Sequence, residues 1–111
     1  MNYLKIIYYM FNAIPDAVDY WADTCRIDYS ENSNDFALDI FDRIGNDKKT
    51  YRVTLSQFND SLERLHDDYL ANNVEAWQRR IVSTILYEDF YDYETVDALV
   101  QHVLFNQIVY S

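Results

Sequence analysis

The sequence predicts an α+β fold with an N-terminal helix, a three-stranded antiparallel sheet that contains a hairpin, and C-terminal helices packed on one face of the sheet. Of the 111 residues, 50% are apolar and 17% are aromatic, which is enough to build one hydrophobic core. Helical periodicity occupies the two ends of the chain, whereas strand periodicity occupies its middle. At this length we expect one acidic domain that spans residues 1–111.

The N-terminal stretch has the apolar spacing of a helix from Asn2 to about Asn12. The residues predicted to face the core are Leu4, Ile7, Tyr8 and Phe11. Pro15 is expected to end this helix, because a proline inside a helix removes a backbone hydrogen bond. Since proline fits the first turn of a helix, a second and shorter helix is expected from Pro15 to about Trp21.

Residues 22–29 allow two interpretations. Cys25, Ile27 and Tyr29 alternate with polar residues, which favours a strand that buries these three side chains. The apolar spacing that starts at Val18 would also suit a helix continuing through this stretch. In both interpretations Cys25 is expected to be a small buried hydrophobic residue.

Residues 36–55 predict a β-hairpin, because two runs of alternating apolar residues flank a polar segment around Gly45. This segment is longer than a two-residue turn, so we expect a protruding loop at the tip of the hairpin. The side chains expected to face the helices are Phe36, Leu38, Ile40, Tyr51, Val53 and Leu55.

The C-terminal half predicts three helices, each marked by a residue that can cap its first turn. Thr54 with Gln57, or Ser56 with Asn59, can cap the start of the first helix. Asn73 can cap the second helix and Asp92 the third. Residues 108–110 are apolar and are expected to pack against the core. The side chains predicted to complete that core are Phe58, Leu62, Leu65, Tyr69, Trp77, Ile81, Leu99 and Val103.

The residues that usually carry catalysis or bind metals show no recognisable pattern. With one glycine, the chain has no glycine-rich loop that could bind a phosphate group. Cys25, His66 and His102 are too scattered for the short ligand spacings of a zinc site. Gly45 is not preceded by the alternating oxygen ligands of a calcium-binding loop. We therefore expect a protein without a cofactor, a metal ion or enzymatic activity.

The net charge of −10 makes the chain a poor ligand for nucleic acids and anionic membranes and a good ligand for basic surfaces. No stretch approaches the roughly 20 apolar residues that span a bilayer, so no membrane association is expected. The single cysteine is typical of a reducing compartment, and we expect a cytoplasmic protein.

Two groups of acidic residues are the strongest candidates for a binding site. Asp60, Glu63 and Asp67 recur at spacings of three and four, which places them in a row on one helix face. Such a row resembles the regular negative charge of a nucleic-acid backbone. The second group alternates with aromatic residues between Tyr87 and Glu94, and carboxylates beside aromatic rings suit arginine side chains. The predicted partner-binding residues are Asp60, Glu63, Asp67, Asp68, Glu88, Asp89, Asp92 and Glu94.

The order of elements and the charge of this chain resemble those of the small phage-encoded, DNA-mimicking anti-CRISPR proteins, and more loosely those of antirestriction DNA mimics. The resemblance spans most of the chain and involves no sequence motif. It implies an inhibitor that binds a Cas9-type nuclease at the site for the protospacer-adjacent motif. The basic segments Arg43–Arg52 and Arg79–Arg80 depart from a uniformly acidic mimic.

The alternative hypothesis is a small regulatory or structural protein, of phage or bacterial origin, that binds its partner through a tyrosine-rich apolar surface. The 11 tyrosines give this hypothesis its support, because tyrosine is enriched in protein interfaces. The third interpretation is that the acidic residues only form a solvated surface. The sequence leaves open whether the protein forms a homodimer.

Overall fold

The computed structural model describes residues 3–28, 36–45, 48–88 and 90–111. Its helices and strands follow the predicted order of one helix, three strands and three helices. They are α1 (Tyr3–Ala17), β1 (Ala22–Asp28), β2 (Phe36–Asp42), β3 (Thr50–Thr54), α2 (Leu55–Leu70), α3 (Ala76–Val82) with a π-helical turn (Ser83–Tyr87), and α4 (Tyr93–Phe105). The predicted α+β class is confirmed.

Helix α1 contains Pro15, so the prediction that this proline ends the helix is wrong. Proline lacks the N–H that would bond to the carbonyl of Phe11, but α1 ends two residues later, so the loss falls in its last turn. The amide of Val18 still donates to the carbonyl of Ile14 at 3.0 Å. The predicted second helix is replaced by a turn, in which the Trp21 amide donates to the Val18 carbonyl at 2.9 Å.

The three strands form one antiparallel sheet in the order β1-β2-β3, with β2 in the centre. This arrangement confirms the predicted hairpin. Residues 22–28 form a strand, so the first of the two interpretations of this stretch is correct. Tyr29, which was assigned to the same strand, lies outside the described residues. Leu55 was assigned to the hairpin but begins α2, because the cap at Thr54 ends β3 one residue earlier.

The face that β1 turns to the helices is the opposite of the predicted one. Arg26 pairs with the buried Leu38 across the strands, and residues paired in this way point to the same side of a sheet. The Arg26 guanidinium lies 4.0 Å from the centre of the Phe36 ring and donates to Asn12 Oδ1 at 3.3 Å. These contacts place Arg26 on the helix side of the sheet. Cys25 therefore lies on the other side and is exposed, against prediction.

Helix α2 begins with the capping box of Thr54 and Gln57, one of the two predicted caps. Thr54 Oγ1 accepts from the Gln57 amide at 3.0 Å, and Gln57 Oε1 accepts from the Thr54 amide at 2.9 Å. The apolar face of the helix buries Phe58, Leu62 and Leu65, as predicted. This cap and this buried face fix the rotation of α2 about its axis, and with it the residues that α2 presents to solvent.

Helix α3 is capped by Glu75 and not by the predicted Asn73. Asn72 takes up a left-handed conformation with φ 58°, and the Asn73 amide then donates back to the Asp68 carbonyl at 2.8 Å. Asn73 thus completes the C-terminal end of α2. The cap of α3 moves to Glu75, whose amide donates to Gln78 Oε1 at 2.9 Å.

Helix α4 starts at the predicted cap, because Asp92 Oδ1 accepts from the Thr95 amide at 2.8 Å and from Thr95 Oγ1 at 2.6 Å.

Among the described residues, the core is one cluster to which all the helices and the strands β1, β2 and β3 contribute. Of the predicted core residues, Phe58, Leu62, Leu65, Ile81 and Leu99 are buried, whereas Tyr69, Trp77 and Val103 are half-buried at its edge. None of the helices in the described part of the chain has the length and apolar character needed to cross a membrane.

The C-terminal tail follows α4 and returns along the core. Tyr110 stacks on the Trp21 ring with 4.8 Å between the ring centres, and its hydroxyl donates to the Asp42 carboxylate. Ile108 and Val109 were predicted to pack inward, but they are 39% and 46% exposed. Tyr110 therefore makes the side-chain contacts with the core that were expected of residues 108–110.

Gly45 is required by this tail contact. A Cβ atom at Gly45 would lie 2.6 Å from Asp42 Oδ2 and 2.9 Å from the Tyr110 hydroxyl oxygen. The same carboxylate accepts from the amides of Ile44 and Gly45 at 3.0 and 2.8 Å. The end of β2, its following loop and the C-terminal tail therefore share one carboxylate.

We predict that Leu62→Ala lowers the free energy of unfolding by about 2–5 kcal/mol, because Leu62 is fully buried and its truncation leaves a cavity. Leu70→Ala is the matched control in the same helix, since Leu70 is 65% exposed. That substitution should change stability by less than about 0.5 kcal/mol. Urea unfolding of both variants makes the comparison. Equal effects of the two substitutions would show that α2 is rotated away from the described orientation.

Candidate functional site

The exposed side of α2 carries the first predicted group of acids. Asp60, Glu63, Asp67 and Asp68 are all exposed. The first three lie opposite the buried apolar face of the helix, whereas Asp68 lies at its edge, where its charge acts on His102 of α4. We call these four residues the α2 acidic face. Because positions three and four apart on a helix have Cβ atoms about 5–6 Å from each other, Asp60, Glu63 and Asp67 form a continuous row.

The carboxylates of the α2 acidic face form no ion pair with a lysine or arginine of the described ranges. Within the described ranges, no lysine or arginine nitrogen comes within 4 Å of any of the four. Glu63 Oε1 accepts only from the Asn59 side chain, at 3.3 Å. Arg64 is exposed on the same helix, three or four positions from Asp60, Asp67 and Asp68, and its charge offsets part of theirs. The α2 acidic face is therefore exposed with a net negative charge.

The second predicted group does not form one surface of free carboxylates. Asp92 caps α4, and the hydrogen bond from the Thr95 side chain, with the nearby charge of Arg80, lowers the pKa of Asp92 below its ordinary range. Glu94 lies 3.6 Å from Arg80, with both side chains exposed. Glu88 is exposed, and Asp89 lies outside the described residues. The structure thus gives a helix-capping contact to Asp92 and an ion-pair partner to Glu94.

One contact connects the two acidic groups. His66 Nε2 lies 3.1 Å from the Tyr87 hydroxyl, which joins α2 to the π-helical turn. Asp67 follows His66 in the chain and Glu88 follows Tyr87. The Tyr87 ring also lies 5.5 Å from the Tyr69 ring. An aromatic cluster therefore flanks the α2 acidic face on the side of the π-helical turn.

A groove that the sequence analysis missed lies between the end of α1, α3, the first turns of α4 and the C-terminal tail. Its volume is about 830 Å³ and its lining is mostly apolar. We call it the α1–α4 groove. It could not be found from the sequence, because its residues come from four segments that only the fold brings together. Its apolar and aromatic walls include Ala17, Tyr20, Trp77, Ile81, Tyr93 and Ile108.

The floor of this groove is a buried polar network around Asp97. The Trp21 indole N–H donates to Asp97 Oδ1 at 2.9 Å, and the Gln101 amide group donates to the same oxygen at 3.0 Å. Tyr20 donates its hydroxyl proton to Asp97 Oδ2 at 2.5 Å. Three donors thus satisfy a carboxylate that is 8% exposed.

Two tyrosines beside these networks have raised pKa values. Burial and the hydrogen bond to Asp97 raise the pKa of Tyr20 well above its ordinary value. The hydrogen bond to Asp42 raises the pKa of Tyr110 to about 12. Burial acts to raise the pKa of Asp42, but the hydrogen bonds from Tyr110, Gly45 and Ile44 outweigh it and lower that pKa. Both phenols are therefore hydrogen-bond donors at neutral pH rather than bases or nucleophiles.

The three residues considered for zinc or nucleophilic chemistry lie in different surroundings. Cys25 is exposed on β1. His66 contacts Tyr87, and His102 packs against Trp77 with 5.8 Å between the ring centres. Among the described residues, no group of three histidine, cysteine or acidic side chains could hold a metal ion.

Comparison of the chain with protein-family models, with curated proteins and with solved structures gave no match. The α2 acidic face and the α1–α4 groove are candidate binding surfaces of the described chain.

The pH dependence of stability should report on His102, whose pKa is lowered by burial while the Asp68 charge acts in the opposite direction. The unfolded chain then takes up this proton at a higher pH than the folded chain. Stability is therefore expected to fall as the pH drops below about 6.5. The acids with lowered pKa values, Asp39, Asp42 and Asp92, have ordinary values of 3.8 and titrate below this window.

His102→Gln should remove this pH-dependent loss between about pH 7.5 and pH 5.5, as measured by urea unfolding. His66→Gln is the matched control, because it keeps His102 and should retain the loss. An unchanged pH slope in His102→Gln would show that His102 takes up its proton equally well in the folded and unfolded chains.

Proposed function

We propose that the protein is a non-enzymatic inhibitor that binds a nucleic-acid-guided nuclease of the Cas9 type and blocks its positively charged DNA-binding cleft. The observation that supports this proposal is the α2 acidic face, where a packed helix presents four exposed carboxylates that form no ion pair with a lysine or arginine of the described chain. The net charge of −10 adds a long-range attraction to basic surfaces.

The mechanism is competition for the residues that hold DNA phosphates. Nuclease clefts use lysine and arginine to bind phosphates, which recur about every 3.4 Å of axis along each strand of DNA. The row of Asp60, Glu63 and Asp67 repeats negative charge about every 5–6 Å, which lets neighbouring basic side chains bind neighbouring carboxylates. The helix is held by its cap and its buried face, so little conformational entropy is lost on binding.

Of the eight predicted residues, the α2 acidic face is proposed as the main contact and Glu88 as a flanking one. Asp92 is used by the helix cap, and Glu94 belongs to the α1–α4 groove. Exposed arginine on the target could also stack on Tyr87, which is 56% exposed beside this face. The inhibitor would act in the cytoplasm, where a nucleic-acid-guided nuclease meets foreign DNA.

The second candidate function is a regulatory or structural protein that binds its partner through exposed aromatic residues. Tyr87, Phe90 and Tyr93 favour it, since each is 56% exposed within one short segment. An interface of this kind depends on apolar area, and its affinity should change little with salt. Affinity due to the α2 acidic face should instead fall steeply between low and physiological ionic strength.

We predict that Asp60→Asn combined with Asp67→Asn weakens binding to the captured nuclease at least about tenfold, because charge-assisted contacts to arginine contribute about 1–3 kcal/mol each. The protein is first used to capture its partner from a bacterial lysate. Competition between the protein and duplex DNA for the purified partner is then measured for wild type and variant. Wild type should displace DNA, and the variant should do so poorly.

The control is Asp19→Asn combined with Asp23→Asn, which makes the same change in net charge on exposed residues outside α2, where Asp23 Oδ1 lies 3.6 Å from Arg43 Nε. This control should compete almost as well as wild type. The proposal fails if the captured partner binds duplex DNA and this protein at the same time. Equal losses in both double variants would show that net charge, and not the α2 acidic face, determines binding.

A further inference from the structure

The α1–α4 groove has the properties of a small-molecule site and is separate from the α2 acidic face. Its volume of about 830 Å³ lies within the range of about 300–1,000 Å³ that is usual for ligand pockets. It is bounded by α1, α3, α4 and the C-terminal tail. Because it is bounded on all these sides, it suits a compact ligand better than a helix laid along the surface.

The walls of the groove favour a ligand with an apolar body. Trp77 and Ile81 form the α3 side, whereas Ala17 and Ala98 on α1 and α4 are small and leave room between the helices. Ile108 of the tail adds a further apolar side chain, 39% exposed. An aromatic or branched aliphatic group placed here would gain the free energy of burying its apolar surface.

The charged residues that line the groove favour a cation. They are the carboxylates of Asp16, Glu94 and Asp97 and the guanidinium of Arg80. Three negative charges and one positive charge give the lining a net charge of −2. Glu94 shares the Arg80 charge at 3.6 Å, which leaves Asp16 as the acid at the rim without an arginine or lysine partner among the described residues.

Two tyrosine rings at the same rim complete a site for an ammonium group. Tyr20 and Tyr93 are 46% and 56% exposed, and the Tyr93 hydroxyl donates to Asp16 Oδ2 at 3.4 Å. An ammonium group beside Asp16 would therefore also lie near aromatic rings, and cations are attracted to ring faces within about 6 Å.

We propose that the α1–α4 groove binds a small organic cation, with its apolar or aromatic body against Trp77 and Ile81 and its ammonium group at Asp16. An anion of the same shape is disfavoured by the net charge of the lining. A second copy of the chain is disfavoured as the occupant, because two chains of net charge −10 repel each other.

Tryptamine and indole-3-acetate are suitable probes, because they share the indole ring and differ in the sign of their charge. Each is titrated into the ¹⁵N-labelled protein, and the two tryptophan indole N–H signals are followed by NMR. Trp77 lines the groove, whereas Trp21 is fully buried beneath it. Tryptamine should shift the Trp77 signal saturably, together with the backbone amides of the groove. Indole-3-acetate should not shift them at the same concentration.

Asp16→Asn combined with Glu94→Gln should weaken tryptamine binding about tenfold, since the first change removes the carboxylate at the ammonium group and the second removes another negative charge from the lining. Asp19→Asn combined with Asp23→Asn changes the net charge equally outside the groove and should leave binding unchanged. Ala98→Leu should abolish binding by filling the groove, with thermal unfolding as the check that the variant is folded. If Ala98→Leu does not fold, the comparison of the Asp16/Glu94 and Asp19/Asp23 double variants still tests the proposal.

The proposal is wrong if tryptamine produces no saturable shift of groove signals, or if indole-3-acetate produces an equal one. It is also wrong if the two double variants weaken tryptamine binding equally. None of these readouts involves the nuclease, so this proposal and the proposed function can fail independently.

Discussion

The buried carboxylate of Asp97 connects segments of the fold that are far apart in the sequence. It accepts hydrogen bonds from Trp21, Gln101 and Tyr20, so a single side chain of α4 holds the turn between α1 and β1. Gln101 then accepts from the amides of Val109 and Tyr110 at 2.7 and 2.9 Å, which anchors the tail. Burying a carboxylate is costly unless donors replace its water, and here three donors do so. The same network forms the floor of the α1–α4 groove.

The acidic side chains divide into those that accept contacts within the fold and those that the proposed function assigns to a partner. Asp42, Asp92 and Asp97 each accept hydrogen bonds from within the protein, and Asp39 pairs with Arg52 at 2.7 Å across the sheet. The α2 acidic face has no such lysine or arginine partners within the described chain. The net charge of −10 thus includes carboxylates used within the fold, and only the exposed ones of α2 belong to the proposed interface.

Local patterns in the sequence predicted most of the fold, because they depend on residues close together in the chain. The capping box at Thr54, the cap at Asp92 and the buried face of α2 are of this kind. The face of β1 was predicted wrongly, since the position of Arg26 is decided by Asn12 and Phe36, which are distant in sequence. The helical spacing gave the exposed row on α2. Asp92 and Glu94 have partners within the protein, in a helix cap and in an ion pair. The ion pair and the groove depend on tertiary contacts, which helical spacing does not reveal.

Amide hydrogen exchange in Asp97→Asn tests most directly whether this carboxylate organises the fold and the groove. An asparagine here keeps the shape but loses the charge and one of the two acceptor oxygens, so Trp21, Gln101 and Tyr20 can no longer all donate to it. The network that orients Gln101 toward the tail should then loosen. We predict fast exchange of the Val109 and Tyr110 amides in the variant and slow exchange in wild type, while the buried turns of α2 around Leu62 stay protected in both. Unchanged protection of Val109 and Tyr110 in a folded Asp97→Asn variant would contradict the account.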